Sequence, residues 1–452
     1  MSRLPAAVAA LCAVQLIDVM GVTVIVSALP DMLATLGGSP ALAGLVVPVY
    51  AVGFASLLLV SARLGDRVGH RRLLLGGLVV FAVGSLPAAL APGVSALIAA
   101  RGVQGIAAAV TVPNALVLLT GLTRTDASRE RALGTWNACG GLAGALGLVL
   151  GGIVTTTLGW RTIFWANLAI AFLLALALAR LLPDRPTATP AGAPLPVFSA
   201  VLQVLAIAAL VGAANIAEHS PPVSLPVLAL AVVTTAVLVW RERRTRQPLV
   251  PAELWPQRGF LAGVAGSFGV TATTSAFVII TTLYLQNTQE FTAAAAGLMI
   301  LPFSTAVVVA ATTTGRLIGR VSAPRVLLGG LILVTASIMV VVVWPTMTTV
   351  VLACVASGAG NGAAAVAAYA RATATVVEYQ GAAAGLLNTA AQMGTAIVVA
   401  LAVAVASLGS GPFDHRAGWL TSAGAGVVVI GTVVTLTLWV PGRHGHARNY
   451  PD

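Results

Sequence analysis

Two residues in this chain carry charge where charge is costly. Asp18 lies in an apolar run from Val8 to Pro30, and Arg101 in another over residues 95–119. Near the centre of a helix in hydrocarbon, an ionised aspartate costs roughly 2.5–3.5 kcal/mol on insertion scales. Such a carboxylate must face a cavity, find a partner or hold a proton. If its exposure alternates, it can load a proton on one side and release it on the other. It could equally help to bind a cation, or be held by Arg101. The planar fork of Arg101 can hold a carboxylate or backbone carbonyls and tune a coupling acid, or its long stem can reach the interface. Other chemistry is poorly supplied. Cys12, Cys139 and Cys354 are scattered over three runs and read as small buried hydrophobes, with neither a disulfide framework nor a metal site. A phosphate-cradling GxxxxGK[ST] loop is absent, so a gradient rather than ATP is the expected energy source, and no cofactor is expected.

The elements that must hold these two residues follow from composition. The chain has 452 residues, 58% hydrophobic and 8% charged, with a mean hydropathy of +0.98. These values define an all-α integral membrane protein. Apolar runs long enough to cross about 30 Å of hydrocarbon predict fourteen transmembrane helices. They fall near residues 8–30, 42–62, 73–91, 95–119, 132–156, 162–179, 197–216, 223–240, 260–286, 293–314, 326–343, 347–370, 381–407 and 418–439. Abundant Gly and Ala within them suits helices packed closely through small side chains.

The net charge of +11 comes from arginine alone, and its placement argues for membrane topology rather than nucleic-acid binding. Loops after even-numbered runs are basic, with Arg63, Arg67, Arg71 and Arg72 after the second and Arg316, Arg320 and Arg325 after the tenth. Only Arg161 and Arg416 belong to odd loops. Since short Lys/Arg-rich loops stay cytoplasmic, this predicts a multi-pass protein of the inner (plasma) membrane with both termini in the cytoplasm.

A repeat organises the chain. Residues 62–77, ARLGDRVGHRRLLLGG, align without gaps on residues 315–330, GRLIGRVSAPRVLLGG, and nine of the sixteen positions match. The repeat places run 9 over run 1 and run 10 over run 2. It predicts a six-helix half over 1–183, a Pro-rich linker with two inserted helices over 184–257, a second six-helix half over 258–440 and a tail over 441–452. Six-helix halves of this kind are a transporter plan with the substrate site between them near the bilayer midplane.

At several of these positions the chain resembles the major facilitator superfamily, and within it the fourteen-span drug:proton antiporters. Leu64 to Arg72, LGDRVGHRR, is similar to the family's loop signature between spans 2 and 3, with Ala62 and His70 as departures. Arg101-Gly102-Val103-Gln104-Gly105 resembles the span 4 motif. Gly144, Gly147, Gly151 and Gly152 match the glycine-rich span 5 motif, with Leu148 where the family usually has proline. Thr23 and Ala28-Leu29-Pro30 align with the first span, but Gly21 stands at the family's acid position. Asp18 is one helical turn earlier on nearly the same face, about 4.5 Å along the axis, and could replace the missing acid.

The resemblance implies proton coupling through Asp18 and Arg101. It also implies a conformational latch of Gly65, Asp66, Arg67, Gly69, Arg71 and Arg72, in which the acid meets a helix N-terminus of the other half near Gly381. Helix-dipole attraction there is worth roughly 0.3–1 kcal/mol. Plain positive-inside topology explains the latch arginines equally well. Asn114, Asn137, Tyr284, Asn361, Asn388 and Gln392 are cavity candidates, each equally readable as an interhelical hydrogen bond. The expected function is proton-coupled efflux of drugs, antibiotics or other amphipathic organic compounds by a monomer. Export of an endogenous metabolite, or transport without protons, stays open. An enzyme acting on lipid-linked substrates would need clustered acids or a metal motif, and neither is found. From the latch reading, Asp66→Asn destabilises the outward-facing state; unchanged cysteine accessibility of the cytoplasmic cavity in that variant would count against the latch.

Overall fold

The computed structural model describes residues 3–37, 40–123, 126–183, 197–219, 221–245, 252–374, 380–407 and 414–438. Over these residues the chain is a bundle of fourteen long helices. They are α1 Arg3–Leu36, α2 Pro40–Val68, α3 His70–Ala89, α4 Val94–Leu122, α5 Asp126–Leu158, α6 Arg161–Leu181, α7 Val197–His219, α8 Pro221–Arg244, α9 Arg258–Leu283, α10 Ala293–Val321, α11 Ala323–Val343, α12 Met347–Ala372, α13 Gln380–Ala406 and α14 His415–Leu438. The all-α, fourteen-helix architecture read from hydropathy is therefore present. Eleven of the helices are long and apolar enough to cross a membrane, while α2, α5 and α7 carry shorter described apolar stretches at 45–58, 149–158 and 201–210.

Helices outrun their apolar runs mainly at the arginine-rich end. α1 starts at Arg3 rather than residue 8, α5 at Asp126 rather than 132, and α10 runs to Val321 rather than 314. Backbone hydrogen bonding does not stop where hydrocarbon stops, so hydropathy underestimates these three helices by a turn or two. At the other end α9 finishes in a π-helical turn, Tyr284–Thr288.

Each set of six packs alike. α1 lies on α5 and α6, α2 on α4, and α3 on α4 and α6; α9 lies on α13 and α14, α10 on α12, and α11 on α12 and α14. The sequence repeat recurs as backbone geometry at its eighth position. Gly69 joins α2 to α3 at φ 102, ψ 122, and Ser322 joins α10 to α11 at φ 88, ψ 143. Glycine takes this conformation freely, whereas a residue with a Cβ is strained there by about 1–3 kcal/mol.

The two sets meet along α2 with α13 and α5 with α10. Their cores are joined unevenly. Ile25, Leu29, Val47, Leu97 and Phe164, all toward the end opposite the arginines, belong to one apolar cluster with Phe277, Ile300, Leu331 and Val403 of the second set. Leu11, Phe54, Leu58, Leu74, Leu119 and Leu178, toward the arginine-rich end, form a separate cluster within the first set. Gln286 of the π turn also donates to the Ser27 carbonyl across this seam at 3.0 Å. The bundle is thus sealed between its two sets at the end away from the arginines. Of the two helices outside these sets, α7 packs on α2 and α13, and α8 packs on α7.

The strain at Ser322 generates a direct expectation. Ser322→Gly raises the thermal stability of the purified protein by about 1 kcal/mol. A thermal-shift assay that finds no change or a loss would mean that the turn is not strained as described.

Candidate functional site

Asp18 sits near the middle of α1 and is 7% exposed. The phenol of Tyr50, on α2, donates its hydroxyl hydrogen to Asp18 Oδ1. The Arg101 guanidinium lies over the Tyr50 ring, with Cζ 4.3 Å from the ring centroid. Tyr50 therefore stands between the acid and the base: its edge serves the carboxylate and its face serves the cation. Arg101 is fully buried. Its Nη1 donates to Gln104 Oε1 at 2.9 Å, Gln104 Nε2 donates to Ser85 Oγ at 2.8 Å, and Ser85 donates to the Phe81 carbonyl at 2.7 Å. Nε and Nη2 of Arg101 have no hydrogen-bond partner among the described residues. Two charge-bearing donors thus remain unused beside a buried carboxylate.

The backbone geometry that allows this is glycine-dependent. A Cβ on Gly105 would fall 2.1 Å from the Tyr50 carbonyl oxygen, and one on Gly53 2.8 Å from the Gly102 carbonyl oxygen. Close contact of α2 with α4 is what presents the Tyr50 ring to Arg101. Every polar or small residue of the span 4 motif thereby has work: Arg101 covers the ring, Gln104 ties it to α3, and Gly102 and Gly105 let α2 approach. Tyr50 was not among the residues singled out from sequence. A hydroxyl in the middle of an apolar run needs a partner for the same reason as Asp18 does, and that was the available signal. Position 21 meets Phe81 Cζ at 3.6 Å from an ideal Cβ, so an acid there would lie against a phenyl ring.

Two of the span 5 glycines face α1 within the first set, and one faces the second set. Cβ atoms on Gly147 and Gly151 would strike Thr23 and Ser27 of α1, and one on Gly152 the Ala293 carbonyl of α10, while Gly144 has nothing within 4 Å. Thr23 also donates to the Ala143 carbonyl at 3.3 Å. Toward the arginine-rich end of the same α1–α5 contact, the free thiols of Cys12 and Cys139 lie near each other. These two cysteines are thus adjacent rather than scattered, because helix pairing joins residues far apart in sequence. No group of three metal-ligating side chains occurs among the described residues.

The latch segment contributes to packing within the first set. Gly65 is buried, and a Cβ there would fall 2.2 Å from both Asn114 Oδ1 and His70 Nδ1. Asn114 Nδ2 donates to Ser61 Oγ at 2.9 Å and its Oδ1 meets His70 Nδ1 at 2.7 Å, a knot joining α2, α3 and α4. Arg71 donates from Nε to the Leu182 carbonyl at 3.1 Å and from Nη2 to the Ala179 carbonyl at 2.7 Å, where the C-terminus of α6 leaves carbonyls without helical partners. Arg67 and Arg72 are exposed. The side chains of Asp66 and Asn137 lie outside the described residues, and Gly381 falls in the first turn of α13.

The other cavity candidates disperse. Tyr284 donates to the Pro345 carbonyl at 3.2 Å and packs edge-on against His415 and Trp419 at the sealed end. Asn361 donates to Thr274 Oγ1 at 3.3 Å. On α13, Asn388 is exposed and Gln392 half-buried, one turn apart. The structure therefore gathers Asp18, Arg101 and Gln104, adds Tyr50 and Ser85, and leaves the second-half polar residues apart.

Comparison with known proteins places this geometry in a family. The Major Facilitator Superfamily profile matches residues 11–399 and 261–449. The puromycin resistance protein pur8 of Streptomyces alboniger is 32% identical over 86% of this chain and 79% of its own length. The multidrug resistance protein Stp of Mycobacterium tuberculosis is 31% identical over 66% of this chain, and the match spans 56% of Stp. The cephamycin export protein CmcT of Amycolatopsis lactamdurans is 35% identical over 64% of this chain and 61% of its own. Among solved structures, the human organic anion transporter MFSD10 has the same fold, with a TM-score of 0.66 at 16% identity over 94% of this chain and 98% of that one. By profile, relatives and fold alike, the chain belongs to the Major Facilitator Superfamily.

Proposed function

We propose that this protein is a secondary active transporter that exports small amphipathic organic compounds by alternating access, driven by protons entering the cell. The observation that carries the reading is the buried Asp18, bonded to Tyr50 and facing the field of Arg101. A carboxylate so placed is answered in one arrangement of the helices and must be answered differently when the two sets tilt, which couples its proton to the tilt. The apolar cluster that joins the two sets at the end away from the arginines supports a bundle that opens alternately at either end. At about 100 mV, one inward proton supplies roughly 2.3 kcal/mol, enough for about a fifty-fold outward gradient of a neutral solute.

The division into halves over 1–183 and 258–440, with the inserted pair over 184–257, belongs to the same proposal. So do a plasma-membrane location, cytoplasmic termini and action as a monomer. The conformational latch at Asp66 is kept within it, alongside the packing roles of Gly65 and Arg71. A second reading, export of a compound made by the cell itself, is favoured by the likeness to CmcT, whose name denotes cephamycin export. Resistance profiling in a strain lacking its own efflux pumps, with and without an uncoupler, separates the two, because a dedicated exporter leaves a broad drug panel unaffected.

Asp18→Asn abolishes substrate-driven proton movement in proteoliposomes; coupling that survives the substitution sinks the proton role. Tyr50→Phe keeps the ring beneath Arg101 and deletes only the hydroxyl. It slows gradient-driven transport about tenfold, the effect of losing about 1.4 kcal/mol from a hydrogen bond to a charged group. An unchanged rate in Tyr50→Phe would show that the hydroxyl has no part in coupling.

A further inference from the structure

The inserted helices form a feature that the transport mechanism does not use. Between α7 and α8, on the outer flank of the bundle, runs a groove of about 690 Å³. Leu210 contributes from α7, and Val232, Thr235, Val239, Trp240 and Arg244 form a stripe along α8. The lining is apolar until its last turn. Thr235 makes no polar demand on an occupant, since its hydroxyl donates to the Ala231 carbonyl at 2.7 Å. At the arginine-rich end the groove closes on a cation: the Arg244 guanidinium lies 4.7 Å from the Trp240 ring centroid. One turn back, Arg241 lies 4.7 Å over Phe198 of α7 and donates to Ser199 Oγ at 3.3 Å. Glu242 is two residues from Arg244, about 200° around the helix, and so projects from the opposite face.

We propose that this groove binds an anionic phospholipid of the bilayer, with an acyl chain along the Leu210–Val239 wall and the headgroup phosphate on Arg244. Charge and shape together select this occupant. A concave apolar trough suits a hydrocarbon chain, Trp240 stands where aromatic residues mark the membrane interface, and a guanidinium at the mouth of the trough is the partner for a phosphate. A flat helix surface from a second copy would leave the trough unfilled and bury Arg244 without a counter-charge. α7 carries the site to the transport machinery, since it packs on both α2 and α13 and its Gln203 donates to the Ala55 carbonyl of α2 at 3.0 Å. The inference holds whether or not protons drive transport.

The test uses the full chain in nanodiscs and the fluorescence assigned to Trp240 by difference from Trp240→Phe. Phosphatidylglycerol with brominated chains quenches that signal more strongly than brominated phosphatidylcholine at equal mole fraction. Arg244→Gln reduces the preference about fivefold, the effect of one arginine at a membrane surface, while Arg244→Lys retains most of it and controls for folding. Equal quenching by the two lipids, or a preference unmoved in Arg244→Gln, overturns the proposal in favour of non-specific lipid contact. Absence of quenching by either lipid, in particles containing two copies of the chain, overturns it in favour of a protein-covered surface.

Discussion

A charged or polar group in hydrocarbon must be answered by the protein itself, and the first half of this molecule is arranged around that requirement. Asp18 cannot stand alone on α1, so Tyr50 of α2 reaches it. The ring so placed becomes the seat for Arg101 of α4, and Gln104 passes the connection on to Ser85 of α3. Four helices are thereby tied by one chain of contacts. Two nitrogens of Arg101 stay unspent within it, so the network is tight yet able to take another partner.

Such contacts need backbones closer than ordinary side chains allow. Gly105 and Gly53 bring α4 against α2, and Gly147 and Gly151 bring α5 against α1, while Gly152 does the same between the two sets of helices. The glycines near the loop between α2 and α3 follow the same logic. Gly65 gives room to the knot of Asn114 and His70, so part of the most recognisable segment in the chain is occupied with packing its own half. Arg71, read from the sequence as a topology marker and a latch residue, finishes α6 by meeting its terminal carbonyls.

The two sets of six helices share a pairing pattern and even a turn conformation, although glycine at 69 has become serine at 322. Packing of the flanking helices holds Ser322 in a conformation that its own chemistry disfavours. α7 and α8 fall outside this symmetry. They flank the bundle without entering the network of Asp18, which is why their lining can be shaped for lipid rather than for the halves.

Periodicity and composition by themselves determined the all-α class, the fourteen helices, their order, the alternation of basic loops and the offset of 253 between repeats, because each depends on local hydropathy or on identity along the chain. Asp18 and Arg101 were legible for the same reason, a charge in an apolar run being anomalous whatever surrounds it. The partners were not legible. That Tyr50 lies between the acid and the base, that Cys12 lies near Cys139, and that Asn114 is committed to a knot while Asn388 is exposed all depend on which faces of distant helices meet. A lipid-exposed helix and a buried one carry nearly the same apolar residues, so hydropathy gives no direction to a face. Only the close helix pairs permitted by the glycines, seen in the tertiary structure, decide it.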